Sequence, residues 1–539
     1  MNLRVSRQIL LGFILLITLG FSQSGPIDRD HPIYPWLVRQ AALGNLPQNW
    51  LATQPLSWQQ INRLLDQLNE PGRPLSGLDQ RLLDRFRAEF AKPSQPTPLT
   101  APWQFRTWRD AGGELFSRKT DIAPYPHGLT YRDSSASMWA DWREGLRIQN
   151  NGAHTRGFYT DQLVFHGYLN DHFSFYWDFI QYRLSNVSEY PELPPEYKQG
   201  HILREPDLDW NIWSLAQAGV YANFPTLTLA FDQEPVYWGL SPMASPILNT
   251  RVFPYSNLAF SVTYKAIHFT TVHGSLLPEN PSELNKEVPD KRVAAQRLSV
   301  DFTPNLAFSF NEFEIYARRP FEPGYLVPII FYWSEEMILG DRDNLLMAVD
   351  GIYRVTPGLQ VYGTFFWDEL DWSELSKESW KNKFAPQIGI LYNLPIENIS
   401  GDLRIEYTSV HPWTYTHDDS LSNFSSAGIG LGFPYGPNSA TLDVQTNLWI
   451  SPDLSILLDW LWLRKGSGLG SDVMDNYADR DMSLDHKTTA LMGNITSSHL
   501  GTFQMRYRLN TMVEFTGRYE GGWGDTKRDF WELGLHLDW

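Results

Sequence analysis

The chain has 539 residues, no cysteine and a formal net charge of −17 at pH 7. The lack of cysteine excludes disulfides and thiolate chemistry, and the acidic balance argues against binding nucleic acid through a general basic field. Aromatic residues make up 14 % of the chain, a proportion typical of proteins that place aromatic girdles at membrane interfaces.

Residues 1–24 have the pattern of a secretory signal peptide. Arg4 and Arg7 precede an apolar run from Ile9 to Leu19, and small and polar residues follow this run. The run is too short to span a membrane, and no later stretch supplies about 18 consecutive apolar residues. We therefore predict an exported chain that remains in the periplasm, is secreted or inserts into the outer membrane as a barrel.

Between about residues 35 and 91 the apolar residues recur with the period of a helix. Three short amphipathic helices are predicted, and Ser57 and Gln60 form a capping box at the start of the second. Ser76 is the predicted cap of the third helix, and a proline-punctuated linker follows it. We expect residues 25–136 to form a helical element and linker on the periplasmic side.

Beyond the linker the period changes to two. The last run, Asp529–Trp539, alternates apolar and polar residues, as expected for a strand with one lipid-facing and one lumen-facing side. Taken alone, such a run also fits a half-buried strand of a soluble protein. The recurrence of the pattern along the chain therefore decides between the two interpretations.

Short and long connections alternate along the rest of the chain. Assigning the short connections to the periplasmic rim and the long ones to the external rim gives eighteen strands. The first begins near Ser137, and both chain ends lie on the periplasmic side. The predicted fold class is an all-β transmembrane β-barrel of about eighteen antiparallel strands with a small N-terminal α-helical element. The barrel is expected over residues 137–539, in the bacterial outer membrane. A soluble sandwich or solenoid, the competing architecture, does not explain the alternation of connection lengths.

One strand breaks the two-residue period. Phe308 and Phe310 are followed by Phe313 and Ile315, which predicts a β-bulge near residues 311 and 312.

Clusters of aromatic residues, carboxylates and amides fall in or beside the predicted external loops. Aromatic rings cover the apolar C–H patches of sugars, and planar polar side chains bind their hydroxyls. The alternative is a purely structural role, in which these residues pack the loops or form interface girdles. The candidate polysaccharide-binding residues are Trp238, Asp343, Asn344, Trp367, Asp368, Trp413, Tyr415, His417 and Asn438.

The sequence predicts no catalytic or metal site and no cofactor. Paired carboxylates such as Asp368-Glu369 are adjacent on a strand, so their side chains point to opposite faces and cannot act as a facing acid and base. Asp343 and Asn344 lack the glycine and glutamate spacing of a calcium loop. Glu312 and Asp350 are predicted to face the lumen, in a satisfied polar network or in a selectivity role.

An ordered set of residues resembles the Wzi family of outer-membrane capsule assembly proteins. The set includes Arg297-Leu298-Ser299-Val300, Tyr325-Leu326-Val327-Pro328, Asp343 to Met347, Tyr362-Gly363, Tyr415-Thr416-His417 and Gly436 to Ser439. The resemblance implies an eighteen-stranded barrel with an N-terminal helical element and a non-enzymatic, lectin-like role in attaching or organising capsular polysaccharide. The chain departs from the family at Leu240-Ser241-Pro242, where a further glycine is more usual.

Two other functions fit an outer-membrane barrel. One is a diffusion channel for ions or sugars, and the other is a hydrolase acting on glycan, lipid or peptide. The expected partners are capsular or other surface polysaccharide, outer-membrane lipid and, during insertion, the barrel assembly machinery. We expect a monomer that does not bind nucleic acid.

Overall fold

A computed structural model describes residues 27–48, 51–91, 103–105, 127–133, 135–170, 172–193, 203–205, 208–278, 289–369, 371, 373–375 and 377–538. The predicted signal peptide, nearly all of the proline-punctuated linker and Trp539 lie outside these residues. Within the described ranges, no helix is both long enough and apolar enough to cross a membrane.

Eighteen long antiparallel strands close into one barrel in the described part of the chain. In chain order the strands are β1 (Ala136–Asn150), β2 (Thr155–Leu169), β3 (Phe173–Ser185), β4 (Trp210–Asn223), β5 (Leu227–Gln233), β6 (Ser256–Tyr264), β7 (Ile267–Leu276), β8 (Lys291–Thr303), β9 (Leu306–Ala317), β10 (Asn344–Thr356), β11 (Leu359–Glu369), β12 (Lys383–Leu394), β13 (Ser400–Val410), β14 (Ser439–Ser451), β15 (Leu454–Lys465), β16 (Thr496–Arg508), β17 (Val513–Gly524) and β18 (Arg528–Asp538). The barrel closes where β18 pairs with β1, with Leu535 opposite Leu146. The predicted fold class and strand count are confirmed.

Much of the barrel exterior is apolar. On β12, Ile388 and Ile390 are 57 % and 43 % exposed, whereas Leu391 beside them is 1 % exposed because it points inward. Tyr353, Tyr392 and Tyr407 are also exposed on the outside of the sheet. An apolar outer surface with aromatic residues is the surface that faces lipid in transmembrane barrels. The rim with the short turns is the periplasmic rim in such proteins, and the rim with the long loops is extracellular.

The predicted bulge near residues 311 and 312 is wrong. The register between β8 and β9 is continuous there, and the irregularity lies between Asp301 and Thr303, beside a periplasmic turn. The sequence pattern changes because Phe313 and Ile315 point into a part of the lumen that is filled with apolar side chains. The period-two geometry of the strand persists while the environment of its two faces changes.

Glu312 also departs from its prediction. Glu312 is opposite Gln296 on β8 and lies two positions after Phe310. It therefore shares a face with the exposed, lipid-facing Phe308. Glu312 therefore points outward rather than into the lumen, and the external connection after β9 covers it.

Three helices pack at the periplasmic rim: α1 (Ile33–Leu43), α2 (Trp58–Leu68) and α3 (Gly77–Glu89). The predicted capping box is present at α2, where the Ser57 hydroxyl accepts from the Gln60 amide. The buried faces of the helices share one apolar core with inward-facing residues of the barrel, including Trp139, Tyr168 and Trp449.

Hydrogen bonds attach the helices to the periplasmic turns. The Arg39 guanidinium donates to the Gly401 carbonyl over 2.8 Å, and the Arg354 guanidinium donates to the Ala41 carbonyl over 2.8 Å. The Ser400 hydroxyl donates to Asp79 over 2.7 Å. The helices thus form a plug at this rim, which we call the helical plug (residues 27–48 and 51–91).

A second element enters the barrel from the extracellular rim. The infolded loop, residues 234–255 between β5 and β6, contains a two-residue strand, Tyr237–Trp238, that pairs with Thr53–Gln54 of the helical plug. The Gly239 amide donates to the Ala52 carbonyl over 3.0 Å. The infolded loop and the helical plug therefore meet inside the lumen, and the barrel is filled at this junction.

Candidate functional site

The extracellular loops fold together over the barrel because their apolar residues share one core. Phe366 on β11 packs against Tyr415 and Phe424 of the loop between β13 and β14, with ring centroids 5.1 and 5.9 Å apart. The same core contains Trp238 of the infolded loop and Val473 of the loop between β15 and β16. Three long loops are thereby held together.

Tyr415 links two of these loops to the barrel wall. Its hydroxyl donates to the Pro246 carbonyl of the infolded loop over 2.7 Å, and its backbone amide donates to the Asp368 carboxylate over 2.5 Å. Asp368 lies at the extracellular end of β11 and points inward. Tyr415 has a φ of 75° and Trp413 a φ of 70°, backbone conformations that non-glycine residues rarely adopt. These contacts hold the strained turn in place.

Asn438 links the other pair of loops. Its side-chain amide donates to the Ser471 hydroxyl over 2.8 Å, and its side-chain carbonyl accepts from the Met492 amide over 2.8 Å. Trp413 adds a further link between the same two loops, since its backbone amide donates to the Gly470 carbonyl over 3.0 Å. The extracellular surface is accordingly a connected platform rather than a set of independent loops.

A cluster of aromatic and charged residues lies on this platform, and we call it the mouth cluster: Trp380, Lys383, His417, Tyr477 and Arg480. The ring centroids of Trp380 and Tyr477 are 5.5 Å apart, and those of His417 and Tyr477 are 5.7 Å apart. The Lys383 ammonium lies 4.1 Å from the Tyr477 centroid, and the Arg480 guanidinium lies 3.9 Å from that of Trp380. These distances place both cations in cation–π contact.

The charges of the mouth cluster are paired within the loops. Lys383 is 3.0 Å from Glu369, and Arg480 contacts Asp485 through two nitrogens at 2.9 and 3.2 Å. Burial lowers the pKa of His417, although the neighbouring Asp418 carboxylate opposes this shift. Trp380 and Lys383 are buried, whereas His417, Tyr477 and Arg480 are partly exposed. These three side chains therefore offer fixed hydrogen-bonding groups and an aromatic edge, which suit recognition of a polyhydroxylated ligand.

Not all predicted sugar-binding residues belong to this platform. Trp367 points outward, with its ring 5.9 Å from that of Phe365, which is the arrangement of an interface girdle residue. Asp343 lies outside the barrel wall and accepts from Arg319 and from the Tyr325 hydroxyl, the latter over 2.8 Å. Asn344, one residue later, points inward, and its side chain donates to the Ser422 carbonyl over 2.7 Å.

The remaining predicted residues lie in the platform, but most are buried. Trp238 and Asn438 have no exposed surface, and Trp413, Tyr415 and Asp368 are also buried. His417 is half-buried within the mouth cluster. In this conformation the buried residues stabilise the platform, and direct sugar contact by any of them stays a prediction.

Asp350 lies on the lumen face of β10. Its carboxylate accepts from both terminal nitrogens of Arg297 over 2.7 Å, and Arg297 also donates to Asn311 over 2.8 Å. The two opposite charges are paired with each other inside the barrel wall, although Nε of Arg297 has no hydrogen-bond partner among the described residues.

Sequence reasoning missed Trp380, Lys383, Tyr477 and Arg480. Tyr477 and Arg480 are about 100 residues from the other two in the chain, so no local motif joins them. The only local signal was that Trp380 lies close to Lys381 and Lys383 at the start of β12. Across the residues with described positions, no group of three or more His, Asp or Glu side chains is arranged to hold a metal ion.

The closed eighteen-stranded barrel, its apolar exterior and its short periplasmic turns define a bacterial outer-membrane β-barrel. No protein-family model matches the chain, and no curated protein matches it.

Among solved structures, the chain is similar to Wzi of Escherichia coli, described as an outer-membrane protein involved in group 1 capsule assembly and as a carbohydrate-binding β-barrel. The two share 12 % identity with a TM-score of 0.57, over 96 % of this chain and 99 % of Wzi. At this identity the likeness shows a shared fold.

Two barrels of Pseudomonas aeruginosa are more distant. OccK8 (OprE) has 9 % identity and a TM-score of 0.43, over 76 % of this chain and 98 % of its own. OprD has 12 % identity and a TM-score of 0.41, over 75 % of this chain and 95 % of its own. Neither score is high enough to support a conclusion about this chain.

Proposed function

We propose that this barrel binds capsular or other surface polysaccharide noncovalently through its extracellular platform and organises it at the cell surface without catalysis. The observation that carries the proposal is the junction inside the lumen, where Trp238 of the infolded loop pairs with Thr53 of the helical plug. A barrel filled in this way leaves the extracellular loops as the surface for a ligand. The shared fold with a carbohydrate-binding barrel supports the same function.

The connected loops favour binding of a long polymer. Ordering free loops on binding costs affinity, and the links through Tyr415 and Asn438 have already fixed these loops. A polymer also presents its repeating unit many times, so modest affinity for each unit suffices for retention. The paired charges of the mouth cluster limit nonspecific attraction of ions, which further favours a polyhydroxylated ligand.

A diffusion channel is the rival function, and the filled junction argues against it. Conductance of the purified chain in planar bilayers separates the two functions. We expect no stepwise conductance from the wild-type protein. Steady open-channel currents would contradict the proposal.

Glycan binding provides the direct test. We expect the purified chain to bind surface polymer of its host, and Tyr477→Ala to weaken binding about twofold to twelvefold, as expected for loss of about 0.5–1.5 kcal/mol of ring contact. Tyr477→Phe keeps the ring and should retain most of the affinity. Tyr264→Ala, an exposed tyrosine at a periplasmic turn, is the matched control.

The cellular test uses a deletion of the gene. We expect the deletion strain to release polymer into the medium and to carry less of it at the surface. Unchanged cell-associated polymer, together with absence of binding by the purified chain, would overturn the proposed function.

A further inference from the structure

The outer wall of β7 to β9 carries buried polar side chains, whereas the outer face of β12 presents exposed isoleucines to lipid. Glu312 and Glu314 are two residues apart on β9, so both point outward. Gln296 is opposite Glu312, and His273 lies in the same outward row as Glu314. Both carboxylates are fully buried all the same, and neither oxygen of Glu314 has a hydrogen-bond partner among the described residues.

The height of these carboxylates places them at the level of lipid. Leu306, the first residue of β9, is opposite the exposed Tyr353, which marks the periplasmic girdle. With a rise of about 3.4 Å per residue and a tilt of about 40°, Glu312 is about 16 Å and Glu314 about 21 Å above Leu306, within an apolar band about 25 Å tall. Carboxylates at that depth need a protein cover, because polar groups facing hydrocarbon are costly.

The connection between β9 and β10 provides the cover. Its residues 321–339, which we call the strap, lie against the outside of the barrel instead of crossing the mouth. The Tyr332 amide donates to Glu312 over 3.4 Å, and Gln296 donates to the Ile330 carbonyl. Tyr325 packs between Tyr332 and Tyr316 of β9, with centroid distances of 5.4 Å on each side.

The other side of the strap is apolar and exposed. Ile329 and Ile338 are 74 % and 75 % exposed, and no lysine or arginine occurs from residue 320 to residue 341. The exposed apolar side chains are Phe321, Leu326, Val327, Ile329, Phe331, Trp333, Met337 and Ile338. A contiguous apolar surface of this kind marks an interaction site, and it continues the lipid-facing surface of Phe308 below it.

We propose that the strap inserts its exposed apolar side chains into the outer leaflet and replaces the missing lipid-facing wall of β7 to β9. Its partner is the acyl region of the membrane lipid. Amphipathic segments of this type lie in the plane of the interface, about 5–10 Å into the boundary between headgroups and acyl chains. The strap thus shields the buried carboxylates on one side and contacts lipid on the other. This inference does not depend on polysaccharide binding.

The absence of cysteine permits a site-specific test. Ile338→Cys and Ile329→Cys are labelled with an environment-sensitive fluorophore in the full-length protein, reconstituted in dioleoylphosphatidylcholine vesicles. Lipid-attached nitroxide and aqueous iodide then serve as quenchers. Ile388→Cys, on the lipid face of β12, is the control for lipid contact, and Asp479→Cys, on an exposed external loop, is the control for water contact.

We expect both strap positions to be quenched by the nitroxide lipid to a similar extent as residue 388, and by iodide about fivefold less than residue 479, as for an interfacial segment. Iodide quenching equal to that at residue 479 would overturn the proposal, because the strap would then lie in water. Protection from both quenchers would also overturn it, because another protein surface, such as a second copy of the chain, would then cover the strap. Two labelled positions keep the test valid if one variant fails to fold.

Discussion

Truncation of Trp238 tests the junction inside the lumen. Trp238 is fully buried, and its ring centroid is 5.6 Å from that of Phe313 on the inner face of β9. Its backbone pairs with Leu248 of the infolded loop and with Thr53 of the helical plug. Trp238→Ala removes the ring and leaves these backbone hydrogen bonds possible, so it isolates the contribution of packing.

The expected magnitude follows from the burial of the indole. Truncating a fully buried tryptophan to alanine costs about 3–5 kcal/mol in well-packed cores. If this cost falls on the junction, the equilibrium constant for its local opening rises on the order of 10²- to 10³-fold, since each 1.4 kcal/mol is a factor of ten. The barrel itself should persist, because its strands pair independently of the indole ring.

Amide hydrogen exchange measures this opening. The Gly239 amide, which donates to Ala52, should exchange faster by the same factor in Trp238→Ala, whereas amides of β12 should keep their protection. Trp333→Ala, at an exposed tryptophan outside the barrel, is the control and should leave Gly239 unchanged. Wild-type protection of Gly239 in Trp238→Ala would refute the packing role. If Gly239 exchanges faster as expected, a loss of glycan binding in this variant would reflect platform disorder rather than a lost sugar contact.

Two further predictions concern charged contacts. Burial raises the pKa of Glu89 in α3, but its interactions with His31 and Arg508 outweigh burial and hold the pKa well below its usual range. The stabilisation is therefore present above about pH 4.3, the ordinary glutamate value, and is lost as the pH falls towards the lower folded value. Hydrogen exchange should show α3 losing protection on acidification in the wild type, with a weaker pH dependence in Glu89→Gln; an identical pH profile would contradict this. Asp350→Ala leaves Arg297 buried and unpaired and should lower barrel stability by about 3–5 kcal/mol in urea unfolding, whereas replacing both by apolar residues should cost much less. Equal stability of the single and double variants would contradict the second prediction.

The N-terminal part of the chain shows how far local signals extend. The capping box at Ser57 and the apolar face of α2 were readable from the sequence, because capping and helical periodicity involve residues within a few positions of one another. The place of that helix was not readable. Arg39 and Gly401 meet at the periplasmic rim although more than 350 residues separate them in the chain.

The candidate site divides in the same way. The sequence indicated that Asp368, Tyr415 and Asn438 lie in or beside external loops, because strand parity assigns each connection to one rim. It did not indicate that these side chains would be buried as links between loops, or that Trp367 would face lipid. The mouth cluster was equally hidden, since its members come from separate loops.

By itself, the sequence determined the barrel: period-two alternation sets the strands, and the lengths of the connections set their number and direction. Only the tertiary structure decided how the barrel is filled and covered. The alternation along β9 is the same whether Glu312 faces the lumen or the lipid. Glu312 is tolerated on the outer face because the strap covers it. Trp238 likewise became part of the junction inside the lumen only through its pairing with Thr53. Local periodicity fixes where a side chain points, and contacts between distant segments fix what it meets there.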